Sequence, residues 1–189
     1  MRNLRLEKKG LRGLAIAESF KQDSKKSILA GIVMRRDFVI DGFVFGSATI
    51  SGNDATNEII KMHEKLDRPD ISYILISGII ISMYNMVDIK KIHERLQMPV
   101  IGVTYQNSQG IESSIKHHFP DTWKEKINEY RKLGDREKIN LKTSFDVFVR
   151  KEGCELSHVK HLLNDLTLQG ALPEPLRIAQ LLAKTLLND

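Results

Sequence analysis

Residues 11–45 decide the fold: LRGLAIAESF (11–20), a polar KQDSKKS, then ILAGIVMRR (28–36) and DFVIDGFVF (37–45). The apolar, β-prone runs at 11–20, 28–36 and 38–45 predict three strands. The polar loop at 21–26 and the break Arg35-Arg36-Asp37 are too short for anything but antiparallel returns. The period then changes. Gly52-Asn53-Asp54-Ala55-Thr56 supplies a helix start, and Ile59, Ile60, His63 and Leu66 recur at helical spacing up to Arg68-Pro69. Residues 71–81 form a nearly continuous apolar run, as in a strand buried on both faces, and PVIGVT at 99–104 is another. A short helix at 85–97 lies between them.

Beyond residue 104 the pattern predicts helices at 108–118 and 121–133, a strand at 142–151, and helices at 155–168 and 174–187. Gly134 to Asn140 is the one flexible stretch, too short for a domain boundary, so residues 1–189 are expected to form a single domain. Three antiparallel strands followed by helix, strand, helix, strand and helix, with right-handed crossovers, place the fourth strand beside the first. The expectation is an α/β fold with a mixed five-stranded sheet flanked by helices, which is the ribonuclease H-like arrangement.

Composition narrows the setting. Apolar content of 41% and charged content of 28% are those of a globular protein, not a disordered or fibrous one. The net charge of +5 admits a polyanionic partner without requiring one. Cys154 is the single cysteine, which excludes an internal disulfide framework and a cysteine zinc cluster and fits a reducing compartment. Residues 1–9 are basic but lack the apolar core of a signal peptide. Residues 74–83 are broken by Ser77, Gly78 and Ser82 and are too short to span a bilayer. A cytoplasmic protein without membrane contact is expected.

The topology gives the carboxylates meaning. Glu18 near the end of the first strand, Asp54 beyond the third and Asp88 after the fourth all belong to one edge of the sheet. Three hard oxygen donors on one rim are what a divalent-metal phosphodiesterase needs. Glu58, one turn past Asp54, is an alternative ligand. Each has a plainer reading: Asp54 and Asp88 as helix caps, Glu18 as a strand-end acid answered by Lys21, Lys25 or Lys26. Cys154 has no base at a readable spacing. His117-His118 point to different helix faces. The charged run from Lys124 to Lys138 reads as a solvated helix face, with Trp123 and Tyr130 packing on one side of it. The last helix opens with Leu172-Pro173-Glu174-Pro175-Leu176-Arg177-Ile178-Ala179. Pro175 suits the first turn, Glu174 complements the helix N-terminus, and Arg177 stands where it would hold a phosphate or a carboxylate.

With these residues in view, nearly the whole chain resembles the archaeal family known as UPF0215 or DUF99, a relative of endonuclease V. The PEPLRIA segment at 173–179 carries the resemblance most strongly, supported by Ile76-Ser77-Gly78-Ile79, Asn85-Met86-Val87-Asp88, Pro99-Val100-Ile101-Gly102-Val103 and Gly52-Asn53-Asp54-Ala55-Thr56. The resemblance implies an endonuclease acting on DNA or RNA with a deaminated base, uracil or inosine. Glu18, Asp54 and Asp88 would be the catalytic ligands of Mg2+ or Mn2+, and Arg177 and Lys151 would contact phosphate. The base would be read in a pocket after leaving the stack. Ala17 stands where the family carries an aspartate, and Ser77 where endonuclease V carries another. Tyr105-Gln106 does not preserve that enzyme's lysine, and neither Lys151-Glu152-Gly153 nor His158 supplies its late histidine. Two other readings therefore stay open: a nucleic-acid-binding protein with a decayed site, and a protein-interaction module that keeps only the fold.

Overall fold

The structure, a computed structural model, describes residues 10–108 and 110–188. The basic start read above for targeting lies outside them. Strands β1 (Arg12–Ser19), β2 (Lys26–Arg35) and β3 (Ile40–Thr49) lead into helix α1 (Ala55–Leu66) and strand β4 (Ile71–Ser77). A small hairpin, β5 (Ile80–Ile81) and β6 (Asn85–Met86), precedes α2 (Ile89–Leu96) and β7 (Val100–Thr104). Helices α3 (Glu112–His118) and α4 (Trp123–Lys132), strands β8 (Glu137–Asn140) and β9 (Asp146–Glu152), and helices α5 (Leu156–Leu166) and α6 (Glu174–Asn188) complete the order.

One sheet runs β3-β2-β1-β4-β7-β9-β8. Its first five strands are the expected arrangement, with β1, β4 and β7 parallel and β2 antiparallel to both neighbours. The expected five strands become seven because β9 pairs antiparallel with β7 and β8 pairs with β9. The stretch expected to be flexible thus contains β8, where Ile139 alternates inward between exposed Lys138 and Asn140. The long run at 71–81 is cut at Gly78, whose φ of +79° turns the chain out of the sheet. The helix expected from residue 85 begins at Ile89, because Asn85 and Met86 pair back onto Ile81 and Ile80.

Side-chain parity sorts the core onto two faces. Leu14, Ile16, Ile74, Ile76 and Val100 pack with Ile59 of α1 and Ile92 of α2. Ala15, Leu75, Ile101 and Val149 pack on the other face with Leu162 of α5 and Leu176 of α6. Ala17 belongs to this second face, against Ile32 and Ala179. Tyr73 is buried, and its ring lies over Gly13, its register partner on β1. No helix among the described residues is long and apolar enough to cross a membrane.

Four charges lock one end of the sheet. Arg12 lies 2.6 Å from Asp41 and 3.2 Å from Asp70, and Arg68 reaches the same pair at 2.9 and 2.7 Å. The Arg68 hydrogen bond lowers the pKa of Asp70. For Asp41, burial pushes upward but the bonds from Arg12 and Arg68 outweigh it. Both folded pKa values lie below the unfolded one, so their stabilisation is full above about pH 3.9 and lost as pH falls through the folded values. Arg68→Ala should cost about 1 kcal/mol near neutral pH in low salt and less in high salt. Urea midpoints that shift equally in both salts would contradict this network.

Candidate active site

The chain leaves β1 towards β2 and leaves β4 towards β7, so the carboxyl ends of β1 and β4 flank the point where connections part, a favoured ligand position in α/β sheets. Glu18 stands there, two residues past the paired Ile16 and Ile76, and is half-buried. Its parity with Leu14 and Ile16 turns it to the α1 face. Among the described residues no lysine pairs with it. The Ser82 amide donates to Oε1 at 2.7 Å and the Ser82 hydroxyl to Oε2 at 2.6 Å. Ser27 lies 2.7 Å from the Ser82 hydroxyl and is itself bonded to the Ala48 carbonyl. The hairpin presents Ser82 through three successive left-handed residues, with φ of 45° at Ser82, 53° at Met83 and 71° at Tyr84. Such a run is costly for residues with a Cβ and holds only because its contacts over-determine it.

Asp54 grips the other side of the same hairpin. It occupies the N-cap position of α1, but its side chain makes no cap bond. Its Oδ1 accepts from the Thr49 amide at 2.9 Å and from Asn85 at 2.7 Å, and its Oδ2 accepts from the Thr49 hydroxyl at 2.6 Å. Burial alone would raise the pKa of this carboxyl; the bonds from Thr49 and Asn85 outweigh it and leave the pKa lowered. The structure therefore brings Glu18 and Asp54 to one hairpin, through Ser82 and Asn85.

The other expected site residues are placed elsewhere. Asp88 caps α2, accepting from the Lys91 amide at 2.9 Å. Glu58 pairs with Lys61 at 2.7 Å. Arg177 is held by Glu174 one turn earlier, its Nε donating at 2.8 Å. Lys151 lies on β9 opposite Ile101, three strands from Glu18, and pairs with Glu137 at 3.4 Å. Burial pushes the Cys154 thiol up to about 11, so it stays protonated and unreactive near neutral pH. The oxygens of Glu18 and Asp54 suit a hard divalent cation in kind, but the arrangement does not. Each carboxylate already receives N–H or O–H donors, and among the described residues no three His, Cys, Asp or Glu side chains gather closely enough to hold a metal. The three acids do not converge.

A cavity of about 470 Å³ opens beside this edge, lined by Ser77, Gly78, Thr104, Tyr105, Gln180 and Arg150 among others. Its size falls in the range of small-ligand sites, roughly 300–1,000 Å³. Gln180 of α6 donates to the Ser77 hydroxyl at 2.7 Å. The Tyr105 hydroxyl is buried close to Ser77 without a well-formed hydrogen bond, and burial raises its pKa. Gln180 and Tyr105 carry no motif in the sequence; only the packing of α6 over β1 and β2 brings them together.

Residues 9–187 match the family model described as Endonuclease dU. A UPF0215 protein of Pyrobaculum calidifontis is 33% identical over 171 residues, which is 90% of this chain and 93% of that one. A protein of unknown function from Archaeoglobus fulgidus superposes with a TM-score of 0.82 at 24% identity, over 95% of this chain and 99% of that one. Endonuclease V of Ciona intestinalis, solved with a 24mer DNA containing an inosine, superposes with a TM-score of 0.60 at 12% identity, over 100% of this chain and 91% of that one. That last likeness is one of fold, and the fold is ribonuclease H-like. With the family model spanning nearly every residue, the chain belongs to the endonuclease dU family, whose archaeal relatives are the UPF0215 proteins.

Proposed function

We propose that the protein is an endonuclease that hydrolyses a phosphodiester bond near a deaminated base, uracil or inosine, in DNA or RNA. The observation that carries this reading is a half-buried carboxylate, Glu18, held by Ser82 where the connections of β1 and β4 part, with a cavity of about 470 Å³ opening past the end of neighbouring β4. In this reading the extruded base enters between Tyr105 and Gln180, where amide and hydroxyl groups meet its edge. Glu18, held rigid by Ser82, orients the attacking water and accepts its proton. Asp54 keeps the hairpin in place. Divalent-ion dependence is part of this reading as the family resemblance implies it, although the described side chains do not themselves gather into a three-ligand site.

Labelled oligonucleotides containing uracil, inosine or neither, incubated with Mg2+, Mn2+ or chelator, test the proposal. Nicking confined to a strand with a deaminated base, and lost in chelator, is the expected result. The separation of Glu18, Asp54 and Asp88 among the described residues favours one other reading, a protein that binds such nucleic acid without cutting it. Binding without nicking would move the conclusion there, and neither binding nor nicking would sink both.

A further inference from the structure

Two arginines beside the cavity are held without being neutralised. Arg150 is 9% exposed; its Nε donates to the Gly134 carbonyl at 2.8 Å and its guanidinium lies 5.8 Å from the Tyr130 ring centre. Arg136 donates to the Gln106 carbonyl at 3.0 Å and to the Ser108 carbonyl, and lies 5.1 Å from the Phe148 ring centre. Neighbouring cations are paired: Arg131 with Glu112, Lys138 with Asp146 and Lys151 with Glu137. Among the described residues, Arg136 and Arg150 make no ion pair. Glu112 and Asp135 are carboxylates that line the outer part of this space; Glu112 pairs with Arg131, and Asp135 forms no ion pair with either arginine.

Carbonyls and ring faces fix where these guanidinia sit but leave their charge in place. Burial lowers the pKa of Arg150; the Tyr130 hydroxyl and the charge of Asp135 partly offset that, and the charge of Arg136 adds to it. Two like charges are thus kept together at some cost, a cost an oxyanion would repay. Both arginines line the cavity described above and a second hollow of about 540 Å³ that shares Tyr130 and Ser108 with it.

We infer that Arg136 and Arg150 form a phosphate-binding site at the β8–β9 side of the cavity, and that it receives a backbone phosphate of the bound strand. The identity of the strand rests on the proposed function; the affinity for phosphate does not. The sources of phosphate, a nucleic-acid backbone or a free ion, are separable by experiment.

Anisotropy of a labelled uracil-containing single strand is measured across a salt series with the full chain. Variants are the double change Arg136→Gln with Arg150→Gln, Arg136→Gln alone in case burial of residue 150 compromises folding, and, as a charge control, Arg95→Gln on α2, where the arginine pairs with Glu64 of α1. The double variant should bind at least tenfold more weakly, and its slope of log affinity against log salt should fall by about 0.7, the share of one phosphate contact on a single strand. Arg136→Gln alone should lose about half that slope, and Arg95→Gln should keep all of it. Inorganic phosphate is titrated in parallel while the arginine Nε–H resonances are followed. Unchanged slopes in both variants would overturn the site and leave the nucleic-acid reading standing. Phosphate shifts at Arg136 and Arg150 without strand binding would uphold the site for free phosphate and overturn the nucleic-acid reading. Silence in both measurements would overturn both.

Discussion

Glu18→Gln should lower nicking of a uracil-containing strand by about a hundredfold or more, the usual scale for losing a proton-accepting group, while moving the thermal midpoint by no more than about 2 °C. The two halves of that expectation come from the same geometry. A glutamine keeps an oxygen for the Ser82 amide, now 2.7 Å from Oε1, and an N–H for the Ser82 hydroxyl, now 2.6 Å from Oε2. The hydroxyl can reverse its role, so the hairpin stays closed and only the negative charge is lost. Asp54→Ala should behave in the opposite way. It strands the Thr49 amide, now bonded to Oδ1, leaves the Asn85 amide group only its bond to the Thr49 carbonyl, and should cost stability of about 1–3 kcal/mol before any direct effect on chemistry. Parallel losses of activity and stability in both variants would remove the distinction between a reacting and a positioning carboxylate.

Gly13→Ala should be the most destabilising single methyl in the sheet, at about 3 kcal/mol. A Cβ at Gly13 would lie 2.1 Å from Cζ of Tyr73 and 2.2 Å from Cε2. Neither strand can give way, since β1 and β4 are paired on both sides and Tyr73 is 2% exposed. The aromatic ring covers the bare backbone of its neighbour, filling the volume a side chain would take. Tyr73→Leu should lose stability alone through the void it leaves, yet Gly13→Ala combined with Tyr73→Leu should be less harmful than the sum. Additive urea midpoints would show that the collision relaxes by some other route.

The strands that place Glu18 were legible because period and gap length are local properties. Runs separated by six polar residues or by Arg35-Arg36-Asp37 can only fold back, and the buried run at 99–104 can only be central. The strand expected at 142–151 appears as β9, but its place in the sheet beside β7 and the further strand β8 were not legible. Glu137 to Asn140 carries one inward residue, Ile139, and becomes a strand because β9 offers it a partner.

The site was less legible than the sheet, for two physical reasons. Parity separates neighbours: Ala17 faces the α6 side among apolar groups while Glu18 faces α1, so an acid at each position could not have shared one ligand. Acids on loops are also claimed locally, as Asp88 is by the Lys91 amide. The partner of Glu18 is a turn amide and a serine that interrupts an apolar run, which no residue pattern announces. Arg136 was read as part of a solvated helix face, but α4 ends at Lys132, and the guanidinium turns in towards the carbonyls of Gln106 and Ser108.

The left-handed hairpin has a consequence for observation as well as for chemistry. Turn amides ordinarily trade their protons with water quickly, since nothing shelters them. The Ser82 amide is sheltered by the carboxylate proposed to react, 64 residues earlier in the chain. Its rate of deuterium uptake is therefore a gauge built into the backbone, rising each time the hairpin lifts from Glu18, with no probe introduced into the site.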